Sequence, residues 1–69
     1  MSQIEVIVNG EQRSVPSGLT LSGFLALMEL DGRKVAVERN LQIAPRSEYD
    51  AIKINAGDRL EIVQFVGGG

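Results

Sequence analysis

Asn9-Gly10 sits between two segments of strand character, Ile4-Glu5-Val6-Ile7-Val8 before it and Glu11-Gln12-Arg13-Ser14-Val15 after it. An Asn-Gly pair suits the type I′ turn, in which both central residues take positive φ and the twist matches that of the flanking strands. Segments joined by so short a loop must run antiparallel. Ile4, Val6 and Val8 fall on one face of the first strand, and Glu5 and Ile7 on the other. The second strand is more polar, and Pro16-Ser17-Gly18 ends it. The hairpin therefore offers one apolar face, which the rest of the chain must cover.

The cover comes next in sequence. Leu21, Phe24, Leu25 and Met28 recur at helical spacing, and the stripe predicts a helix over about Leu21–Leu30. Thr20 is placed to cap its first turn. Gly23 lies inside the helix, at a cost of about 1 kcal/mol relative to Ala. Asp31-Gly32 reads as the stop, with Gly32 in the left-handed position. Phe24 and Met28 read as core, because a lone helix in a small domain must bury its apolar face.

Downstream, Val35-Ala36-Val37 reads as a short buried strand and Glu38-Arg39-Asn40 as a polar turn. Gln42-Ile43 adds a brief strand that Pro45 breaks. Ser47-Glu48-Tyr49-Asp50 reads as a helical turn capped by Ser47. Ile52 and Ile54 alternate toward the core, Asn55-Ala56-Gly57-Asp58 is a turn, and Leu60 through Phe65 is the final strand. After a helical crossover the last strand is expected parallel to the first, at the sheet centre. The expected class is α+β: a mixed sheet of four to five strands with one main helix, of the ubiquitin-like β-grasp kind. The chain of 69 residues holds one domain, residues 1–66, followed by a flexible tail, residues 67–69.

Composition narrows the chemistry. A 43% apolar chain argues for a folded globule, and a net charge of −2 argues against nucleic acid as the main partner. An apolar run of membrane-spanning length and a signal peptide are both missing, so no membrane partner is expected and the expected location is cytoplasmic. Cysteine and histidine are absent. That removes thiol chemistry, Ser-His and Cys-His catalysis and most zinc sites, and no metal site is expected. Carboxylates, amines, hydroxyls and the termini remain. The final strand runs into Val66-Gly67-Gly68-Gly69, and three extended residues reach roughly 10 Å. Lacking Cβ atoms, Gly67, Gly68 and Gly69 pass through a slot only a backbone can enter, and they present an unhindered Gly69 carboxylate. Taken alone, the tail also reads as a frayed or engineered terminus. A phosphate-cradling loop is excluded, because no helix N-terminus follows Gly69.

Docking residues are expected near the tail. If Leu60 and Ile62 face the helix, Val63 and Phe65 join Ile7 on the outer sheet face, with Val66 leading into the tail. An exposed apolar patch there suits an enzyme partner, although strands favour bulky apolar residues in any case. Arg39 and Arg46 are further candidates for partner contact, through acidic partner surfaces. The simpler reading of both is a solvated charge.

Val8-Asn9-Gly10, Val35-Ala36-Val37-Glu38-Arg39-Asn40, Ile43-Ala44-Pro45-Arg46, Gly57-Asp58-Arg59-Leu60-Glu61-Ile62 and Phe65-Val66-Gly67-Gly68-Gly69 together resemble the ThiS-type sulfur carriers of thiamine biosynthesis. The resemblance runs over essentially the whole chain. Val-Glu-Arg-Asn with a downstream Pro-Arg is fairly specific to that branch. Gly-Asp-x-Leu and the Gly-Gly end are shared with the molybdopterin carriers (MoaD) and other ubiquitin-like proteins, and the third terminal glycine is a small departure. The resemblance implies that a ThiF-like adenylyltransferase uses ATP to activate the Gly69 carboxylate. Sulfur from cysteine then displaces AMP, and a ThiG-like thiazole synthase takes sulfur from the resulting thiocarboxylate. On this reading the chain is not an enzyme and binds no cofactor. A carrier for molybdopterin or another sulfur sink, and a modifier joined to lysines, stay open as alternatives.

Overall fold

The computed structural model describes residues 2–65. Two strands, β1 (Gln3–Val8) and β2 (Glu11–Pro16), are followed by one α-helix, α1 (Leu21–Leu27). Strands β3 (Val35–Arg39), β4 (Gln42–Ile43) and β5 (Arg59–Gln64) complete the order, with short 3-10 turns at Gly32–Lys34 and Arg46–Glu48. The sheet has five strands in the order β2-β1-β5-β3-β4. As expected, β1 and β5 are parallel and central, while β2 and β3 flank them antiparallel. The anticipated flexible tail, Gly67–Gly69, lies outside the described residues, as does Val66.

One face of the sheet carries Val6, Val8, Val15, Val35, Val37 and Leu60, and α1 lays Leu21, Phe24 and Leu25 upon it. Phe24, Leu21 and Leu60 are fully buried. Met28 packs at the margin, together with Ile52 and Ile62. Burying side chains of this size contributes roughly 1.5–3 kcal/mol each. The irregular stretch after β4 adds Ala44, Tyr49 and Ile54 to the same core.

The hairpin turn is of the expected kind, with φ of 50° at Asn9 and 84° at Gly10. A second two-residue turn of that conformation joins β3 to β4, with φ of 53° at Asn40 and 71° at Leu41. The sequence reading ends the third strand at Val37 and makes Glu38-Arg39-Asn40 the turn. The strand instead runs on through Arg39, which pairs with Gln42. Leu41 conceals the turn because a bulky residue takes the position where glycine is favoured.

Thr20 caps α1 as expected, its hydroxyl accepting from Gly23 N–H at 3.1 Å. The helix ends earlier than its apolar stripe suggests, and not at Gly32. Leu30 N–H donates to Leu25 O at 2.8 Å and Glu29 N–H to Ala26 O at 3.0 Å. These are the paired bonds of a Schellman motif. The left-handed residue is therefore Glu29, with φ of 61°. Asp31 starts the next 3-10 turn by accepting from Arg33 N–H. The other 3-10 turn follows Pro45 and has no side-chain cap, so Ser47 lies within the turn and does not cap it.

Glu29 pays a Cβ penalty that glycine avoids. Glu29→Gly is expected to stabilise the fold by about 0.5–1 kcal/mol. Urea unfolding should show a higher midpoint at an unchanged slope. A lower midpoint would mean that the Glu29 side chain contributes more than its backbone strain costs.

Candidate functional site: the outer sheet face and the tail exit

Strand β5 leads to the tail. Its register sets Leu60 against the helix and turns Glu61 and Val63 to the opposite face. Phe65 follows in the same alternation, and its N–H donates to Lys34 O at 2.8 Å, carrying the β3–β5 ladder to the last described residue. Val63 is 62% exposed and Phe65 52%, so neither is core. Val63 pairs with Ala36, and Glu61 with Glu38. Ile43, on the edge strand β4, is 76% exposed. Ala36, Glu38, Ile43, Glu61 and Val63 line a shallow groove on the outer face. The groove is apolar at the tail end and acidic beyond it, since like charges stand directly opposite at Glu38 and Glu61. Sequence reasoning missed Ile43, which has the right alternation but lies on a strand of only two residues.

Ile7 does not join this cluster. It is half-buried on the outer face beside Arg59, and Val63 stands roughly 13 Å further along β5 at the rise of an extended strand. Glu61 lies between them on that face.

Of the two arginines singled out from the sequence, Arg39 is half-buried in an ion pair, whereas Arg46 is exposed and also bonded to the backbone. Arg39 Nε donates to Asp58 Oδ2 at 3.0 Å, forming an ion pair with a buried carboxylate. Asp58 also accepts from Asn40 Nδ2 at 3.1 Å and from Asn55 N–H at 2.8 Å. Burial pushes the Asp58 carboxyl up, but the bonds from Asn55, Asn40 and Arg39 outweigh it and hold the group below the usual carboxylate range. Arg46 Nε donates to Gly32 O and Nη2 to Val35 O, each at 3.1 Å. Its guanidinium carbon lies 5.9 Å from the centroid of the Phe65 ring, within cation–π range.

Two asparagines bind β5 from either side. Where β1 leaves the sheet at the hairpin, Asn9 Oδ1 accepts from Ile62 N–H at 2.7 Å and Nδ2 donates to Ile62 O at 3.2 Å. The side chain thus continues the parallel ladder that the backbone abandons. From the other side, Asn40 Oδ1 accepts from Arg59 N–H at 2.9 Å. Turn chemistry locates both residues in the sequence, but their bonds to β5 depend on pairings distant along the chain.

Among the described residues no group of three or more acidic, histidine or cysteine side chains is placed to hold a metal ion. No described helix is long and apolar enough to cross a membrane. A model of the ThiS family matches residues 6–69.

The chain belongs to the ThiS family. It is 40% identical over 50 residues to the sulfur carrier protein ThiS of Bacillus subtilis, covering 72% of this chain and 76% of that one. It is 47% identical over 66 residues to the thiazole synthase of Paramagnetospirillum magneticum, covering 96% of this chain. That match spans only 20% of the synthase, so the ThiS-like segment is a fifth of the longer relative. The crystal structure of the ThiS protein from Geobacter metallireducens superimposes with a TM-score of 0.82 at 29% identity, covering 96% of this chain and 100% of that one. The fold is the β-grasp of this ThiS family member.

Proposed function

We propose that this chain is a sulfur carrier of thiamine biosynthesis, and that its reacting group is the α-carboxylate of Gly69. The family match carries the reading, because it continues through the final glycine. A carboxylate is a poor acyl donor. An adenylyltransferase partner joins it to AMP at the expense of ATP, supplying a good leaving group. Sulfur derived from cysteine displaces AMP and leaves a thiocarboxylate, which a thiazole synthase consumes. The carrier provides no acid, base or metal to these steps. It is a protein-sized substrate, and a chain without cysteine or histidine suits that role. The ThiS-like segment within longer thiazole synthases supports a synthase as the acceptor.

The test is mass spectrometry after incubation with the adenylyltransferase, ATP and a sulfur donor. One oxygen of the native chain should exchange for sulfur. Attachment to lysines of other proteins would replace the carrier reading with that of a modifier.

The proposed docking surface is the exposed groove that Val63 lines, together with the exposed Phe65 two residues further along the chain. Buried apolar and aromatic anchors dominate such interfaces. Val63→Asp should change stability by less than about 0.5 kcal/mol, as surface changes generally do. It should weaken binding to the adenylyltransferase by roughly tenfold, the loss of more than about 1 kcal/mol typical of an anchor. Calorimetric titration beside a melting curve separates the two effects. A chain that no longer folds would make Val63 structural, and unchanged affinity would move the interface elsewhere.

A further inference from the structure

We propose that Arg46 is a positioning residue for the reaction at Gly69, acting through the Phe65 ring to hold the end of β5 in place. The inference rests on the carrier reading above, and it assigns Arg46 a role within the molecule.

Strand β4 explains why the arginine is there. Its ladder with β3 pairs Arg39 with Gln42 and Glu38 with Ile43, and Ala44 N–H then donates to Val37 O at 2.9 Å. In an antiparallel ladder the next such bond would run from the N–H of residue 46 to the carbonyl of Val35. Pro45, with ψ of 137°, leads instead into the 3-10 turn Arg46–Glu48, so the backbone leaves the sheet. The Arg46 side chain supplies the missing donor, with Nη2 on Val35 O and Nε on Gly32 O. Those two bonds fix the guanidinium against the entry to β3. The adjoining residue, Lys34, gives its carbonyl to Phe65 N–H. The end of β5 and the guanidinium are therefore held by neighbouring peptide groups, and the ring lies within cation–π range of the cation.

The Phe65 ring is half-exposed, and the Arg46 guanidinium lies over it. A guanidinium fork is suited to this task and an ammonium is not. It can bind two carbonyls in its plane and still offer a flat face to a ring. Phe65 is four residues from Gly69 in the sequence, so the place where the end of β5 is held bears on where the reacting carboxylate is presented. Small misplacements of a reacting group are costly in rate.

The measurement is the rate of Gly69 adenylation by the adenylyltransferase, read as ATP–pyrophosphate exchange, for Arg46→Ala, Arg46→Lys, Phe65→Leu and the Arg46→Ala/Phe65→Leu double variant. Arg46→Ala and Phe65→Leu should each lower kcat/KM by roughly tenfold, and the double variant should be no slower than either alone, because the two residues act as one unit. Arg46→Lys should not restore the rate. Multiplied losses in the double variant, or full activity with lysine, would overturn the proposal and make Arg46 a direct charge contact with the partner.

A readout without the partner decides the same question if the native chain is never adenylated. Hydrogen exchange at the Phe65 amide should be roughly tenfold faster in Phe65→Leu, which leaves both Arg46 hydrogen bonds in place, than in the native chain. Unchanged protection would show that the ring contact holds nothing. Absence of ATP–pyrophosphate exchange with the native chain would count against the carrier reading, while the amide measurement would still test the inference. Because Arg46→Ala removes two backbone-directed bonds, Phe65→Leu also serves as the decisive variant should the alanine form fail to fold.

Discussion

A chain lacking Gly68 and Gly69 should form thiocarboxylate roughly a hundredfold more slowly than the native chain, or not at all, since an ångström of misplacement alone can cost that factor. The deletion withdraws the carboxylate by about 7 Å of extended chain and places it beside Val66 and Gly67. Deleting Gly69 alone shortens the reach by about 3.5 Å and leaves a Gly-Gly end, so its effect should be smaller. Adding leucine after Gly69 should be as damaging as the double deletion, because the reacting carboxylate then carries a branched neighbour. The helix and all five strands end at or before Gln64. The thermal midpoint should therefore be the same in every tail variant. Mass spectrometry of the carrier after incubation with its activating enzyme reads the outcome. Equal thiolation of the extended and native chains would show that Gly69 is not the reacting residue.

Asp58→Ala should cost about 3 kcal/mol, the loss expected when one partner of a buried ion pair is removed. The substitution leaves the partly buried Arg39 guanidinium, the Asn40 amide and the Asn55 N–H without their acceptor. A domain of this size has about 3–10 kcal/mol in total, so the variant should be close to unfolding at ambient temperature. The same carboxylate sets an acid limit. Its pKa is lower in the folded chain than the ordinary value of 3.8. The folded state therefore favours the ionised form, and the resulting stability is complete above the unfolded value and lost as pH falls through the folded one. As pH falls from about 5 through and below 3.8, the native chain should lose stability relative to Asp58→Asn, which carries no titrating group. Asp31, held at about 2 by its bonds from Arg33, shifts in the same direction, but its side chain is partly exposed and solvent screens the pair. Urea unfolding at a series of pH values measures the difference. A constant gap between native and Asp58→Asn would show that the Asp58 charge contributes nothing to the network.

The reading of the fold from sequence succeeded where the signal is local. Asn9-Gly10 requires backbone that few other pairs tolerate, and the Leu21, Phe24, Leu25 and Met28 stripe leaves one solution for the helix face. It failed where local signals conflict. Gly32 looks like a helix stop, but the chain turns at Glu29, where Leu25 and Leu30 close the motif. The turn at Asn40-Leu41 carries the asparagine but not the expected glycine. For the candidate site, the alternation of β5 correctly placed Val63 and Phe65 on the outer face. It could not show that Ile43 approaches them from another strand, or that Ile7 stands apart.

The order of elements and the apolar faces of the hairpin and helix follow from residues read one segment at a time, because side-chain period and turn conformation are properties of short stretches. The roles of the charged and amide groups were decided by tertiary structure alone. Arg39 and Asp58 lie 19 residues apart in the chain and Asn9 and Ile62 lie 53 apart. Arg46 and Phe65 meet only because β3 lies between their segments. A hydrogen bond requires atoms about 3 Å apart, and sequence spacing carries no such distance once the partners belong to different strands. An arginine that reads only as a solvated charge in one dimension is therefore, in the folded chain, either paired with a buried carboxylate or bonded to two backbone carbonyls.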